Sequence, residues 1–227
     1  MRASIPVSAF VAAIVGFGGT LALIIAAANA VGATQAETAS WVTAICLAMA
    51  LETAWLSWRT KMPVITAWST PGAALVAASS GFTMADAVGA FIVTAMLLIA
   101  TGLFRPLTRL ISKIPASVAS GMLAGIVVGF AISAVKTIPG DPWLVLPLIA
   151  VFFVIRLFNP ALSVLAVLVG GGAAAFLTGR VGGLPAPELS TLVFTWPEFS
   201  IGGIMGLAIP LYLVTMASQN LSGLAVL

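Results

Sequence analysis

The chain has 227 residues, of which 61% are apolar and only 7% are charged. A water-soluble domain of this length needs more charge on its surface, so the composition excludes that class and favours a protein immersed in a bilayer. With no histidine, one cysteine and a net charge of +3, the sequence offers no common metal-ligand set, internal disulfide or nucleic-acid-binding charge.

Eight apolar stretches, each near the length of roughly 20 residues that a spanning helix needs, are separated by polar or Gly/Pro clusters. The predicted spans are 7–31, 41–58, 63–79, 84–104, 116–135, 143–158, 161–178 and 201–221. With a cytoplasmic N-terminus, seven of the nine basic residues fall inside and only Lys136 and Arg180 fall outside, as the positive-inside rule expects. We therefore predict an all-α protein of the bacterial inner membrane with eight crossings and both ends inside.

The second span contains Glu52, the one acid that lies well inside a predicted span. An intramembrane carboxylate is a functional candidate, because its presence in lipid is costly. Glu52 is therefore considered for proton coupling. A structural hydrogen-bonding group near the membrane interface is the open alternative.

The third span is interrupted. Residues 63–68 are mostly β-branched or aromatic and precede Ser69, Thr70, Pro71 and Gly72. A hydroxyl residue before proline is typical of a helix start, since the hydroxyl caps free N–H groups and proline lacks one. We predict an extended half followed by a helix that begins near Pro71 in mid-membrane, with a continuous kinked helix as the alternative. A helix N-terminus facing a cavity suits an anionic group, and broken helices of this kind form transporter sites.

The fifth span carries Gly121, Gly125 and Gly129 at four-residue spacing. In a membrane this pattern lets a neighbouring helix approach closely. We predict helix packing at these glycines and no substrate site.

Three hydrogen-bonding residues, Ser218, Gln219 and Asn220, follow one another near the end of the eighth span. Such side chains are costly in lipid unless they find partners within the protein. They either line a cavity shared with Thr70 or join helices to each other, and the residues alone favour neither.

Two of these segments resemble signatures of the benzoate–proton symporter family. Residues 64–75 read VITAWSTPGAAL and resemble its third-helix segment, and residues 209–221 read IPLYLVTMASQNL and resemble its eighth-helix segment. That family is similar to the nucleobase and sulfate transporter superfamily, whose fold has two inverted repeats of seven helices, with substrate near the broken third and tenth helices.

The resemblance implies a domain organisation. Residues 1–180 would form the first seven-span repeat, 181–198 an extracytoplasmic connection, and 199–227 the first span of the second repeat. On that comparison the chain is expected to be an N-terminal fragment of a longer protein.

The resemblance also implies a function, which is import of benzoate or a related aromatic carboxylate together with protons. Trp68 would form a wall for the ring, and the start of the third-span helix would meet the carboxylate. The expected binding residues are Trp68, Ser69, Thr70, Pro71, Gly72, Ser218, Gln219 and Asn220, with Glu52 for proton coupling. Gln219 stands near a position where nucleobase transporters carry a substrate-binding glutamate, and glutamine can donate hydrogen bonds to a carboxylate that glutamate would repel.

Two alternatives remain open. One is a nucleobase or sulfate-type carrier of the same superfamily, and the other is an uncoupled anion channel that uses the same half-helix dipole. The sequence shows no Ser/His, Cys/His, paired-carboxylate or metal constellation, so we expect neither an enzyme nor a cofactor. The expected partners are the aromatic acid, protons and the lipid bilayer, with a homodimer as one arrangement considered.

Overall fold

The computed structural model describes residues 4–104, 116–180 and 190–216, and every regular element within these ranges is helical. The helices are α1 (Ser4–Ala30), α2 (Gln35–Thr60), α3 (Thr70–Ala78), α4 (Met84–Leu103), α5 (Ala116–Lys136), α6 (Pro142–Phe158), α7 (Pro160–Leu177) and α8 (Ile201–Thr215). A short 3₁₀ turn, Ile138–Gly140, precedes α6. Each helix coincides with one predicted apolar stretch, and α3 occupies only the second half of its stretch, as the predicted break requires.

Two of these helices, Gln35–Thr60 and Met84–Leu103, are long and apolar enough to cross a membrane by length and composition. Together with the all-helical architecture of the described ranges, they fit the predicted all-α membrane protein. The eight crossings and the cytoplasmic N-terminus stay predictions.

Helices α2 and α4 begin with the same capping box. On α2, Thr34 Oγ1 accepts a hydrogen bond from the Glu37 N–H at 3.2 Å, and Glu37 Oε2 accepts one from the Thr34 N–H at 2.9 Å. On α4, Thr83 and Asp86 exchange the equivalent two bonds at 3.1 Å each. Because a capping box satisfies the free N–H groups of the first turn, these residue pairs determine where both helices begin.

The chain forms two compact units. The first comprises Met1–Ala22 and Phe130–Glu188, and within it α6 and α7 pack on each other. An ion pair between Arg180 and Asp141 lies in the same unit. The second unit comprises Leu23–Gly129 and Leu189–Leu227 and contains α2, α3, α4 and α8.

The core of the second unit lies around the short helix α3. Ala27 of α1 and Val31, which follows α1, pack with Val76 of α3 and Ala87 of α4, and none of the four is more than 1% exposed. The helix that follows the break in the third span therefore contributes Val76 to a buried core of this unit.

Helix α8 contains a π turn at Ile204–Ala208, just before Pro210. Proline has no N–H to continue the regular hydrogen-bond ladder, and a wider turn is one way to accommodate it. The Ala208 carbonyl oxygen accepts a hydrogen bond from Thr94 Oγ1 of α4 at 3.1 Å. This bond joins α8 to α4 in the buried interior.

The structure leaves open space beside the three glycines of α5 in the described ranges. A Cβ atom added at Gly121, Gly125 or Gly129 would meet nothing within 4 Å. Close helix packing at this stripe stays a prediction.

Candidate functional site

A cavity of about 320 Å³ lies at the start of α3, within the second unit. Its lining residues are Ile24, Trp41, Ile45, Trp68, Ser69, Gly72, Ala73, Val76, Phe91, Thr94, Leu98, Leu211 and Thr215. None of these carries a charge. A mostly apolar wall with a few polar groups is typical of small-molecule sites, whose volumes run from about 300 to 1,000 Å³.

A second cavity, of about 280 Å³, lies in the first unit and is lined by residues of α6 and α7. Its lining is entirely aliphatic or phenylalanine, from Leu144, Val145, Leu148, Ile149, Phe152, Phe153 and Val167. It offers no side-chain group that could orient a polar ligand. The cavity at α3 is therefore the candidate site.

The extended half of the third span, residues 63–69, is fastened to α2 by hydroxyl groups. Ser57 Oγ accepts from the Val64 N–H and donates to the Val64 carbonyl oxygen, both at 3.0 Å. Thr53 Oγ1 accepts from the Thr66 N–H at 3.1 Å and lies 2.9 Å from Thr66 Oγ1. Thr53 and Ser57 are four residues apart on a helix, a rise of about 6 Å, and Val64 and Thr66 are two residues apart on an extended chain, a rise of about 6.6 Å. Because the two distances are similar, each hydroxyl lies beside one residue of the pair Val64 and Thr66.

These bonds confirm the predicted break and exclude the continuous kinked helix. An extended backbone at membrane depth leaves polar groups that must be satisfied inside the protein. The hydroxyls of α2 satisfy part of them, which fixes the path of the chain that leads into the cavity.

Helix α3 begins at Thr70, one residue before the predicted start at Pro71. Ser69 is the N-cap, since its Oγ accepts from the Gly72 N–H at 3.1 Å and its carbonyl accepts from the Ala73 N–H at 2.8 Å. A hydroxyl that accepts a hydrogen bond keeps its own hydrogen for donation. Ser69 therefore places a donor in the cavity at the positive end of a helix.

The predicted third-span residues divide into two groups. Trp68, Ser69 and Gly72 line the cavity. Thr70 is exposed and Pro71 is buried, and neither is among the lining residues. The side chain of Thr70 and the ring of Pro71 thus belong to the first turn of α3 and not to the cavity wall.

The remaining predicted residues are Glu52, Ser218, Gln219 and Asn220. Ser218, Gln219 and Asn220 lie outside the described residues. Glu52 has an exposed side chain on α2 and is not among the lining residues.

Ten of the thirteen lining residues were not predicted from the sequence, and four of these ten carry an aromatic ring or a hydroxyl. Trp41 and Phe91 form a tilted ring pair with centroids 5.3 Å apart, and Thr94 and Thr215 bring hydroxyls from α4 and α8. A hydroxyl within an apolar span is a signal that could have found Thr94. The two aromatic residues lie in apolar runs, where nothing distinguishes them from lipid-facing residues.

Comparisons with known proteins give a consistent result. A family model described as "Benzoate membrane transport protein" matches residues 2–227. The inner membrane protein YdcO of Escherichia coli (strain K12) is 38% identical over 220 residues, which are 95% of this chain and 56% of that protein. The benzoate membrane transport protein of Acinetobacter baylyi is 31% identical over 226 residues, 99% of this chain and 57% of that protein. The chain thus spans little more than half the length of these relatives, and no solved structure matches it.

Proposed function

This chain belongs to the benzoate membrane transport protein family, and from that membership we propose that the full-length transporter binds benzoate or a related aromatic carboxylate in the cavity at α3. It imports this substrate with protons across the bacterial inner membrane. The observation that carries the proposal is the cavity itself, which combines aromatic walls with a serine-capped helix start and has no charged lining residue.

The carboxylate end of the substrate is accounted for by the start of α3. The Ser69 hydroxyl can donate a hydrogen bond, and the helix N-terminus contributes partial positive charge. Because no lining residue is acidic, nothing in the described wall repels an anion. A hydrogen bond to a charged acceptor is stronger than one between neutral groups, and its strength increases away from water.

Three aromatic lining residues are available to contact the ring of the substrate. Trp41 and Phe91 form their pair on one part of the wall, and Trp68 directly precedes the capping serine. Aromatic rings favour edge-to-face and offset contacts with each other, so a benzene ring gains more here than its buried area alone provides.

The same lining argues against the two other substrates of the superfamily. Sulfate is polar on every side, and most of this wall cannot hydrogen-bond to it. A nucleobase presents several donors and acceptors, whereas the side-chain hydroxyls of the wall are Ser69, Thr94 and Thr215, and Thr94 already donates to Ala208. An aromatic acid needs polar partners at one end only.

Competition binding tests this assignment. Purified full-length transporter in detergent is incubated with radiolabelled benzoate and with unlabelled benzoate, benzamide, uracil or sulfate. We expect displacement by benzoate and little displacement by the other three compounds, since benzamide keeps the ring and loses the charge. Equal displacement by benzamide would exclude an anion site, and stronger displacement by uracil or sulfate would favour the corresponding carrier.

We also propose Glu52 as the proton-carrying group. It is the one acid well inside a predicted span, and it lies next to Thr53, which holds the extended half of the third span. Glu52→Gln should abolish the stimulation of benzoate uptake by an inward proton gradient and leave benzoate exchange intact. The matched control is Glu198→Gln, on an exposed acid outside the helices. Unchanged proton-driven accumulation in Glu52→Gln would remove this residue from the mechanism.

For the whole molecule we propose that 1–180 form the first of two inverted seven-span repeats, with 181–198 as an extracytoplasmic connection and 199–227 as the start of the second. Supporting this are the eight apolar stretches, the distribution of basic residues and the greater length of the relatives. In a Cys46→Ser background, a cysteine at Lys136 should react with an impermeant reagent from outside and a cysteine at Arg59 should not. If the cysteine at Arg59 reacted from outside and the cysteine at Lys136 did not, the topology would be the inverse of the proposed one.

A further inference from the structure

Residues 190–200 form an extended segment that lies across the N-terminal ends of α2 and α4, and we call it the strap. Near the start of the strap, Ser40 of α2 hydrogen-bonds to both the N–H and the carbonyl oxygen of Val193. Ser40 Oγ accepts from the Val193 N–H at 2.8 Å and donates to the Val193 carbonyl oxygen at 3.2 Å. Ser40 is 6% exposed and Val193 is 40% exposed, so the contact is part-buried.

Two acids that cap helices also hold the strap. The Glu37 Oε2 atom serves the capping box of α2, and its Oε1 atom accepts a hydrogen bond from Thr195 Oγ1 at 3.1 Å. The Asp86 Oδ2 atom serves the capping box of α4, and its Oδ1 atom accepts a hydrogen bond from Ser200 Oγ. A carboxylate has two oxygens with about four lone pairs, so one side chain can do both. An amide side chain has a single acceptor oxygen and cannot reproduce this pattern.

The strap also touches α4 through its backbone. The Glu198 N–H donates to the Ala85 carbonyl oxygen at 2.9 Å. A Cβ atom added at Gly89 would lie 2.0 Å from the Glu198 carbonyl oxygen, so only glycine permits this approach. The strap is thus fixed at both of its ends and along its path over α4.

The strap leads directly into the helix that completes the cavity. Ser200 is the N-cap of α8, since its Oγ accepts from the Gly203 N–H at 3.0 Å. Further along α8, Leu211 and Thr215 line the cavity, and Leu211 lies against Gly72 of α3. The position of α8 relative to α3 therefore depends on where the strap holds Ser200.

We propose that Glu37 and Asp86 are positioning residues for the substrate site, because each uses its second carboxylate oxygen to hold the strap and so places α8 against α3. The expected effect on substrate binding rests on the proposed function, whereas the effect of the strap on the position of α8 does not. Ordinary capping explains only one oxygen of each acid. The bonds to Thr195 and Ser200 are the part that positions the site.

The test uses variants that separate the strap bonds from helix capping. Thr195→Val combined with Ser40→Ala removes the strap bonds on α2 and leaves the Thr34–Glu37 capping box intact. Thr34→Ala is the matched control, because it weakens the cap and leaves the Glu37–Thr195 bond. A third variant, Thr195→Ser, leaves Ser40 unchanged. It keeps a hydroxyl at position 195 and should behave as the wild type.

The first readout is hydrogen–deuterium exchange of the full-length transporter without substrate. We expect faster exchange across residues 200–216 in Thr195→Val/Ser40→Ala, and faster exchange confined to the first turn of α2 in Thr34→Ala. Unchanged exchange across 200–216 in the double variant would overturn the proposal. This outcome does not depend on benzoate, so it is distinguishable from failure of the proposed function.

The second readout is the concentration dependence of benzoate uptake. The KM of Thr195→Val/Ser40→Ala should rise roughly fivefold or more, the factor expected for the loss of at least one net hydrogen bond. The maximal rate should change less than the KM, and Thr195→Ser should restore the wild-type KM. A KM no higher than that of Thr34→Ala would overturn the positioning role even if exchange increased.

Discussion

The Ser69 hydroxyl accepts a hydrogen bond from the Gly72 N–H at 3.1 Å and lines the cavity at the start of α3. One side chain therefore stabilises the short helix and offers a donor to a ligand. These two roles respond differently to substitution. Alanine removes both the cap and the donor, whereas aspartate remains a good cap and places a negative charge where the carboxylate would bind.

We expect Ser69→Ala to destabilise the protein by about 1 kcal/mol through loss of the cap and to weaken benzoate binding. Ser69→Asp should keep near wild-type stability and lose benzoate binding almost completely, because the like charge repels the substrate. Thermal unfolding and radiolabelled benzoate binding of the full-length transporter measure the two effects. Wild-type benzoate affinity in Ser69→Asp would show that the carboxylate does not bind at α3.

The sequence predicted part of the lining of this cavity, and the rest was missed for a physical reason. Ser69 and Gly72 were predicted because a helix start has a local signature that does not depend on the fold, and Trp68 was predicted from the resemblance. Trp41 of α2 and Phe91 of α4 become wall residues only when the fold brings their rings together. That packing is a long-range property, which no local pattern encodes.

At the scale of elements, the third span shows the same division. The break itself was predictable from hydroxyl, proline and glycine residues in an apolar run. The attachment of the extended segment to α2 was not predictable. Thr53 and Ser57 can bind its backbone only when the segment lies beside them in register. Their four-residue spacing then fits alternate residues of that segment.

Thr53→Val should destabilise the protein by about 1–3 kcal/mol, because the part-buried Thr66 N–H loses its acceptor. Thr43→Val is the matched control, since Thr43 Oγ1 donates only to the Ala39 carbonyl of its own helix. The control should change stability by less than about 0.5 kcal/mol, as substitutions away from such features usually do. Thermal unfolding compares the two variants. Equal shifts in both would mean that the hydroxyl of Thr53 does not support the extended segment.

Gly89→Ala should destabilise the protein by about 1–3 kcal/mol or more, because its Cβ would overlap the backbone of the strap. Gly102→Ala, on the same helix, would meet nothing within 4 Å. Replacing a helical glycine without a clash should stabilise by about 0.5–1 kcal/mol. Shifts of opposite sign in thermal unfolding are therefore expected. A neutral Gly89→Ala would show that the strap does not lie on α4 in the membrane.

At the scale of the whole molecule, the composition and the eight apolar stretches were sufficient to predict an all-α membrane protein. The eight predicted stretches correspond to eight helices in the part of the chain that the structure describes, and the family assignment agrees with the resemblance of two short segments. The proposed relation between repeats rests on the resemblance, since the chain spans little more than half the length of its relatives.

Uptake of radiolabelled benzoate into proteoliposomes that contain the full-length transporter tests the central claim most directly. With an imposed inward proton gradient, we expect saturable accumulation of benzoate above its external concentration, and its loss in Ser69→Asp. Uptake that rises linearly with benzoate concentration, ignores the proton gradient and survives Ser69→Asp would contradict a coupled carrier with its site at α3.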